Sequence, residues 1–387
     1  MLPLLGASNL HREHSDLFKA TTSSIKQLLG NGKSQPTDAG PAVVYKNQRI
    51  ELRPNESVLN GLLRSGHAIP HSCQAGACQS CIMQADENSQ SALSAHSQAA
   101  LTPAQRQQGL FLACCTVPEQ TLHVSLPDSQ TRPVTHATIS DIRPLAQRVM
   151  QLSLACELRY EAGQFVNVIV DSTRFGRVQR SYSLANAYQT GAGLRLHIKC
   201  LDDGQFSNWL TQEAQIGDEV TIEGPHGLCY LTSDDCDNPS MLLAGTGTGL
   251  APLLAILETA LAQEYNGDIH LILANKTAGD FYALELLQSI AAQHQNLKLH
   301  FLVKKNLEQE DLVQDEFVID DVKNSSKANN LLVNADVYQY LKQLPLDFSR
   351  ASVFLCGAES FVQKMRKACF LQGASMKKIK ADAFIAS

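Results

Sequence analysis

Apolar and polar positions follow one another differently in three stretches of the chain, and each stretch predicts its own kind of fold. Between about residues 41 and 127, the pattern predicts short strands at 42–45, 49–52 and 121–125 and a helix around 58–65. A cysteine-rich loop separates the helix from the last strand. Short strands arranged around one helix indicate a small mixed sheet of its own.

The middle stretch, from about residue 135 to 231, is rich in strands. Its short runs alternate in polarity or carry β-branched residues, and turn residues separate them. The predicted strands are 149–154, 164–170, 181–184, 194–199 and 219–222. Strands of this length and spacing are typical of an antiparallel β-barrel.

From about residue 239 onward, apolar runs of buried-strand length alternate with helical stretches. The runs are 241–244, 270–273, 297–303 and 352–355. This alternation predicts a doubly wound parallel sheet, and the whole chain is therefore expected to be a multidomain α/β protein. We expect an extension at 1–40 and domains at 41–130, 134–234 and 237–387.

The first forty residues look separate from the rest. Phe18, Thr21, Ile25, Leu28 and Leu29 fall at helical spacing, and a tract rich in glycine and polar residues follows. The pattern predicts an amphipathic helix and a linker. Such a helix either packs as an ordinary extension or docks onto a partner. The acidic stretch 308–321 is interpreted as a solvated insertion.

Composition and charge narrow the classes of protein. The 387 residues are 44% hydrophobic and 18% charged, and the net charge of −6 gives no support for nucleic-acid binding. No apolar run reaches the roughly 20 residues that span a bilayer, so no integral membrane segment is expected. The eleven cysteines are an odd number, most of them scattered singly. This distribution favours a reducing cytoplasm with one metal site.

Four cysteines have the spacing of one particular metal centre. Cys73, Cys78 and Cys81 stand at C-x4-C-x2-C spacing, and Cys114 follows in a Phe-Leu-Ala-Cys stretch. This is the spacing of plant-type [2Fe–2S] ligation, which needs four thiolates. One loop can supply three of them and a neighbouring strand the last. We therefore predict that these four cysteines hold a [2Fe–2S] cluster.

Zinc is the main alternative for this cysteine set. Structural zinc is usually held by two C-x2-C pairs, and only Cys78 and Cys81 form such a pair. A Rieske centre needs two histidines among its ligands, and this loop contains none. The neighbouring Cys115 is interpreted as a buried thiol, since its place after Leu-Ala-Cys favours Cys114 as the ligand.

A polar motif stands in the barrel stretch, where Arg180, Ser181, Tyr182 and Ser183 follow one another. It resembles the R-x-Y-S flavin motif of the ferredoxin–NADP reductase superfamily. The resemblance implies that Arg180 pairs with the flavin pyrophosphate, that Tyr182 packs against the isoalloxazine and that Ser183 hydrogen-bonds near N5. The side-chain chemistry agrees, because an aromatic ring stacks on a planar ring and a guanidinium fork suits phosphate.

Further features of the superfamily accompany this motif in the same order. Gly-Gln-Phe at 163–165 lies upstream, and Gly-Asp-Glu-Val at 217–220 and Gly-Pro-His-Gly at 224–227 lie downstream. The segment 199–207 resembles the superfamily's second phosphate loop, in which Gly204 permits a tight turn and Ser207 can cap the following helix. A second phosphate loop favours FAD over FMN.

A glycine-rich turn follows the first predicted strand of the parallel sheet. It contains Gly245, Thr246, Gly247, Gly249 and Pro252, and a helix follows. A strand, a glycine turn and a helix together place a pyrophosphate at the helix N-terminus. The turn matches neither the G-x-G-x-x-G fingerprint nor a P-loop. It resembles the G-x-G-x-G-x-x-P turn of the same reductase superfamily.

Two positions near the C-terminus resemble residues that the superfamily places beside the nicotinamide and over the flavin. Cys356 and Gly357 resemble the Cys-Gly pair beside the nicotinamide C4, where the thiol shapes the hydride-transfer geometry and the glycine allows close approach. Phe384 stands roughly where relatives place an aromatic residue over the flavin, although three residues follow it. The resemblance thus implies Ser183 and Cys356 as catalytic residues.

The nicotinamide preference is left open by the residues. Two lysines at 304–305 follow a predicted strand and would tolerate a 2′-phosphate, but the superfamily's Ser-Arg pair for NADPH is missing. Most relatives with this domain order use NADH. We expect NADH, with NADPH as the alternative.

The domain order resembles the reductase components of bacterial multicomponent oxygenases: a β-grasp [2Fe–2S] ferredoxin domain, a barrel FAD domain and an NAD domain. The resemblance implies an NAD(P)H oxidoreductase that passes hydride electrons through FAD to the cluster. We expect a monomer whose cluster lies near the surface, where a redox partner such as an oxygenase docks transiently.

Other acceptors stay open at this point. A desaturase, a deoxysugar dehydratase or a cytochrome would use the same chain, since the acceptor is recognised by surface shape. A regulatory protein with the cluster as a redox sensor is a further alternative, but the intact motifs at all three cofactor sites argue against it.

Overall fold

The computed structural model describes residues 40–71, 79–90, 101–127, 134–303 and 336–384, the backbone of 329–333, and the isolated residues 74, 76, 93 and 98. The predicted N-terminal helix and linker, the acidic stretch 308–321 and the lysines at 304–305 lie outside these residues. No helix within the described ranges is long and apolar enough to cross a membrane.

In the described part of the chain, five strands form a mixed sheet in the order β2-β1-β5-β3-β4. They are β1 (Ala42–Tyr45), β2 (Gln48–Glu51), β3 (Ile82–Ala85), β4 (Leu110–Leu112) and β5 (Leu122–Ser125). Helix α1 (Val58–Arg64) begins at an N-cap Ser57, and α2 (Pro103–Gln107) begins with a capping box at Thr102. The predicted β-grasp arrangement is confirmed.

The second sheet is antiparallel, in the order β10-β7-β6-β11-β8-β9. Its strands are β6 (Val134–Ala146), β7 (Val149–Ala155), β8 (Phe165–Ser172), β9 (Gly176–Ser183), β10 (Leu194–Lys199) and β11 (Glu219–His226). A bridge between Leu184 and Leu196 joins the two outer strands, so the sheet curls into the predicted barrel. Helix α3 (Gln205–Gln212) follows β10 and packs Phe206 and Trp209 into the barrel core.

The third sheet is parallel throughout its described strands, in the order β15-β14-β13-β12-β16-β17. Its strands are β12 (Ser240–Gly245), β13 (Asp268–Asn275), β14 (Leu297–Val303), β15 (Asn329–Val333), β16 (Ala351–Ala358) and β17 (Ile379–Phe384). Its helices are α4 (Ser233–Cys236), α5 (Leu250–Ala262), α6 (Leu284–Gln293), α7 (Val337–Leu341) and α8 (Glu359–Leu371). Apolar cores lie on both faces of this sheet, as the doubly wound prediction requires.

Five described strands, β3, β4, β6, β15 and β17, have no counterpart among the predicted runs. Two of them, β6 and β17, carry no clear apolar pattern. β6 alternates weakly, with Ala137 and Ile139 as its fully buried apolar positions, and β17 reads Ile-Lys-Ala-Asp-Ala-Phe. The predicted strand at 181–184 corresponds to the end of β9, which already begins at Gly176. Because β17 ends next to the flavin motif, the missed strand affects the site directly.

Candidate functional site

Two of the predicted cluster cysteines are brought together by a strand pair. Cys81 precedes β3 and Cys114 follows β4, and Ile82 lies opposite Leu112 in the antiparallel register. The Ala113 N–H donates to the Cys81 carbonyl over 3.1 Å. Hydrogen bonds from Cys115 and then Cys81, together with burial, raise the pKa of the Cys114 thiol. The thiols of 81, 114 and 115 therefore lie together at the end of this strand pair.

Cys73 and Cys78 lie outside the described residues. The sulfur of Cys115 lies 3.6 Å from that of Cys114, and it is half-buried rather than buried as predicted. Within the described residues no group of three His, Cys, Asp or Glu side chains has metal-binding geometry. The described thiols nevertheless fit a cluster bound by sulfur, because Cys81 and Cys114 converge from two strands as such a centre requires.

A buried glutamine braces the turn that carries Cys114, and sequence analysis did not find it. The Gln98 side chain accepts from the Leu112 N–H over 2.6 Å and donates to the Thr116 hydroxyl over 2.9 Å. Thr116 in turn donates to the Leu112 carbonyl. These bonds close the turn from 112 to 116, so its cysteines are held in place. A lone glutamine in a polar stretch gives no pattern by which it could have been predicted.

A cleft between the barrel and the third sheet gathers the predicted flavin residues. The residues of the R-x-Y-S motif line it together with Gly204, Ser207 and Phe384. Tyr182 packs on Phe206, with ring centroids 4.8 Å apart, and Phe206 packs on Trp209. Burial raises the pKa of the Tyr182 phenol, so this ring stays neutral and can act as an apolar wall. The cleft thus combines an aromatic wall with the Arg180 guanidinium.

The phosphate-loop prediction needs one correction. The helix after this loop begins at Gln205 with Gly204 as its N-cap residue, so Ser207 does not cap it. The Ser207 hydroxyl instead accepts from the Leu201 N–H and donates to the carbonyl of Leu201 or Gly204. Its role is to close the loop, which then presents the helix N-terminus to the cleft.

Ser183 meets a residue that the motifs did not indicate. Its hydroxyl donates to the carboxylate of Asp382 over 3.2 Å. Asp382 lies on β17, where the parallel register pairs it with Cys356 and pairs Phe384 with Ala358. Both β17 residues line the cleft. The C-terminal strand therefore delivers a carboxylate and an aromatic ring to the flavin side of the site.

The glycine turn after β12 lies directly against the end of β16. The Thr246 N–H donates to the Cys356 carbonyl over 3.2 Å, and the Thr246 hydroxyl accepts from the Ala358 N–H over 3.1 Å. A Cβ at Gly249 would overlap the Cys356 carbonyl, and Gly357 has a φ of +124° that only glycine adopts easily. The two glycines therefore allow the turn and the strand end to touch.

Other residues of the turn have distinct positions. The Gly247 N–H donates to the Asn275 side chain over 2.9 Å, Thr248 and Ala251 line the cleft, and Pro252 is buried in the first turn of α5. Gly245 ends β12 opposite Cys356. The turn therefore faces the flavin motif, and the helix N-terminus of α5 points toward the same cleft.

The Cys356 thiol is buried and has a second thiol beside it. Its sulfur lies 3.9 Å from that of Cys229, which follows the last barrel strand. Burial, followed by the contact with Cys229, raises the pKa of Cys356 well above its ordinary range. Cys356 is therefore a neutral thiol buried behind the residues that line the cleft, and its chemistry does not suit a thiolate nucleophile.

Polar contacts tie the barrel to the third sheet beside the cleft. Arg195 on β10 pairs with Glu258 on α5 over 3.2 Å, and Glu258 also accepts from the Ala187 N–H. The ring of His197 meets the Tyr282 hydroxyl over 3.1 Å, and both side chains are buried. Burial lowers the pKa of His197 to about 4, so this contact is neutral. The two walls of the cleft are thus held at a fixed spacing.

Three family models match consecutive parts of the chain. Residues 43–119 match the 2Fe-2S iron-sulfur cluster binding domain, 138–230 the oxidoreductase FAD-binding domain and 243–367 the oxidoreductase NAD-binding domain. These matches follow the three sheets in chain order. The motifs and the described side chains fit all three groups, since thiols, an aromatic and arginine-lined cleft and a glycine turn stand in the corresponding domains.

Characterised proteins resemble the chain over most of their length. The reductase subunit of an aromatic O-demethylase from Amycolatopsis is 33% identical over 263 residues, which are 65% of this chain and 77% of that protein. The electron transfer component of toluate 1,2-dioxygenase from Pseudomonas putida is 27% identical over 347 residues, 87% of this chain and 95% of that protein.

A third relative serves a different acceptor. The reductase of CDP-6-deoxy-L-threo-D-glycero-4-hexulose-3-dehydrase from Yersinia pestis is 25% identical over 342 residues, 86% of this chain and 94% of that protein. Proteins that resemble this chain over most of its length are thus named for different acceptors. The chain belongs to the ferredoxin–NADP reductase superfamily, as a flavoprotein reductase with an N-terminal [2Fe–2S] domain that transfers electrons from NAD(P)H through FAD to the cluster.

Proposed function

We propose that this chain is the reductase component of an oxygenase system and that its electron acceptor is a separate oxygenase protein. The observation that carries the site assignment is the cleft in which the flavin motif, the glycine turn and the C-terminal strand meet. The choice of acceptor rests on similarity to the reductase subunit of an aromatic O-demethylase and to a dioxygenase electron transfer component.

Each motif residue receives a role in this proposal. FAD, when bound, takes the two electrons of a hydride and releases them singly, and the cluster carries one at a time. Arg180 and the N-terminus of α3 would bind phosphate, and Tyr182 would pack on the flavin ring. Thr246 and the glycine turn would bind the nicotinamide pyrophosphate. All these groups line or border the same cleft.

The catalytic end consists of Ser183, Asp382 and Cys356. Asp382 accepts the Ser183 hydroxyl hydrogen bond and so fixes the direction of the Ser183 oxygen toward the cleft. The neutral Cys356 thiol lies across the β16–β17 register from Asp382, where it would set the approach of the nicotinamide ring. Phe384 at the end of β17 lines the cleft and would cover the flavin ring, which would keep water from it.

The cluster cysteines complete the proposed route for electrons from FAD to the acceptor. Cys81 and Cys114 converge from β3 and β4, and we propose that Cys73 and Cys78 supply the other two thiolates. We further propose a monomer that docks its acceptor near the cluster through a small, transient contact. NADH is the proposed donor.

Two assays test the proposal. Mixing the purified protein with NADH under anaerobic conditions should bleach the flavin and then the cluster, and Cys78→Ser should abolish reduction of cytochrome c yet spare ferricyanide reduction by the flavin. Both activities surviving unchanged in Cys78→Ser would refute the route through the cluster.

The acceptor class needs its own experiment, because the Yersinia relative is a reductase for a dehydrase. Product formation should be measured with an oxygenase component from the same source and, in parallel, with a 3-dehydrase and its sugar nucleotide. Turnover with the oxygenase alone supports the proposal. Turnover with the dehydrase alone would replace it by the second candidate.

A further inference from the structure

A buried polar chain links the cluster loop to the flavin motif. The Asn167 side-chain amide on β8 donates to the Ser80 hydroxyl over 3.1 Å, and its carbonyl oxygen accepts from the Ser181 hydroxyl over 2.6 Å. Ser80 stands between the predicted ligands at 78 and 81, and Ser181 stands between Arg180 and Tyr182. One side chain therefore connects the predicted cluster loop to the strand that carries the flavin motif.

The hydrogen bond between Asn167 and Ser80 is buried at both ends. Asn167 is 0% exposed and Ser80 is 1% exposed, although Asn167 lies on a barrel strand and Ser80 lies in the turn before β3 of the first sheet. Phe165 and Ile169, the neighbours of Asn167 on the same face of β8, are buried as well. A buried amide in such surroundings is stable only with its hydrogen bonds made, because the alternative is an unsatisfied donor in a dry interface. Asn167 thus specifies the position of Ser80, at the described end of the cluster loop.

The strand register explains how Asn167 contacts both Ser181 and Ser80. Asn167 pairs with Ser181 across β8 and β9, so the Ser181 bond is made within the barrel. The Ser80 bond crosses from the barrel to the first sheet. Asn167 and Ser181 are therefore held together by the pairing of β8 and β9, whereas the bond to Ser80 joins two domains.

We propose that Asn167 is a positioning residue that holds the cluster loop against the flavin strand and so sets the gap that electrons cross between FAD and the [2Fe–2S] cluster. This inference rests on the proposed function. Asn167 itself belongs to neither predicted ligand set, which separates its role from cofactor binding. Ser80 and Ser181 are the two ends through which it acts.

The test compares Asn167→Leu, which keeps the branched shape of the side chain but removes its hydrogen bonds, with Ser80→Ala. Ser352→Ala is the matched control, because Ser352 is also 0% exposed and hydrogen-bonded, to Asp235 and Asn238, but lies in the third sheet. Anaerobic stopped-flow mixing of the holoenzyme with NADH separates flavin reduction from the following reduction of the cluster. Iron content, the cluster EPR spectrum and its reduction potential are recorded for each variant.

We expect Asn167→Leu and Ser80→Ala to reduce the flavin at the rate of the unchanged protein and to reduce the cluster about tenfold more slowly, the factor that corresponds to about 1.4 kcal/mol. Hydrogen exchange of the oxidised holoenzyme without NADH gives a readout that is independent of turnover. Exchange in the segments 79–85 and 165–172 should rise in both variants and stay unchanged in Ser352→Ala. The EPR spectrum and the potential should not move.

Three results would overturn the inference. The first is cluster reduction and hydrogen exchange at unchanged rates in both variants. The second is an equal slowing in Ser352→Ala, which would indicate a general loss of stability. The third is a failure of NADH to reduce the cluster in the unchanged protein, which refutes the proposed function itself and is recognised because it needs no variant. Since Asn167→Leu and Ser80→Ala alter different domains, a folding failure of one leaves the other to decide.

Discussion

The ion pair between Lys380 and Asp235 should be among the contacts that matter most for the stability of the third sheet. The Lys380 ammonium lies 2.6 Å from the Asp235 carboxylate, and their side chains are 18% and 6% exposed. Lys380 lies on β17, two positions before Asp382, and Asp235 lies in α4. Burial alone would raise the pKa of Asp235, but hydrogen bonds from Lys380 and Thr232 outweigh it and lower that pKa. The carboxylate is therefore charged at neutral pH.

We predict that Lys380→Met lowers the free energy of unfolding of this domain by about 3 kcal/mol. Breaking a buried pair by removing one partner costs about 3–5 kcal/mol, because a buried charge is left uncompensated. The lower end applies here, since the Thr232 N–H, the Thr232 hydroxyl and the Ser352 hydroxyl still donate to Asp235 at 2.8, 2.6 and 3.0 Å. For a domain of this size, about 3 kcal/mol corresponds to a melting temperature lower by about 6–12 °C.

Calorimetry of the holoenzyme measures this shift, with Lys298→Met as the matched control. Lys298 also pairs with an aspartate, Asp268, at 3.0 Å, but the two side chains are 40% and 52% exposed, so its loss should cost under about 1 kcal/mol. Replacing Asp235 by Asn in the Lys380→Met background removes the stranded charge and should recover part of the loss. A shift for Lys380→Met no larger than that for Lys298→Met would refute the reasoning.

Other changes should give distinct results. Asp382→Asn weakens the bond that orients Ser183, and we expect stopped-flow flavin reduction by NADH to slow about tenfold with flavin content unchanged; an unchanged rate would exclude Asp382 from the catalytic end. Gln98→Leu removes the brace of the Cys114 turn and should lower the iron content of the purified protein while FAD content stays normal. Burial lowers the pKa of His197, His270 and His300 to about 4. The unfolded chain therefore binds more protons than the folded one, and the melting temperature should fall as the pH drops from about 6.5 toward 4, less steeply in His300→Phe.

The apolar pattern predicts strands that alternate clearly or form a continuous apolar run, and it misses strands that are short, such as β4, or weakly patterned, such as β6 and β17. β5 alternates strictly, with Leu122 and Val124 buried, and the core strands of the third sheet are continuous apolar runs. β6 is 13 residues long, contains Pro144 and has register shifts near 140 and 145. Backbone pairing with β7 and β11 stabilises it, and neither partner can be read from its own residues.

The residues of the candidate site also divide into those that a local sequence pattern predicts and those that it misses. The R-x-Y-S motif and the glycine turn are short and local, so their residues could be named in advance. Asp382 lies 199 positions from Ser183, and only the parallel register of β16 and β17 places it beside Cys356. The expected cap at Ser207 was wrong because the helix begins one turn earlier than the motif suggests. A local sequence pattern cannot show at which residue the helix begins or which side chain closes the loop before it.

Both electron steps of this reductase depend on polar contacts between domains. The walls of the hydride-transfer cleft are joined by Arg195 to Glu258 and by His197 to Tyr282, and the cluster loop is joined to the barrel by Asn167. An apolar interface of equal area would stabilise the docked domains but would tolerate sliding, since dispersion contacts carry little direction. Directed hydrogen bonds fix one relative position. The geometry of electron transfer is therefore set by residues that no hydrophobic period encodes.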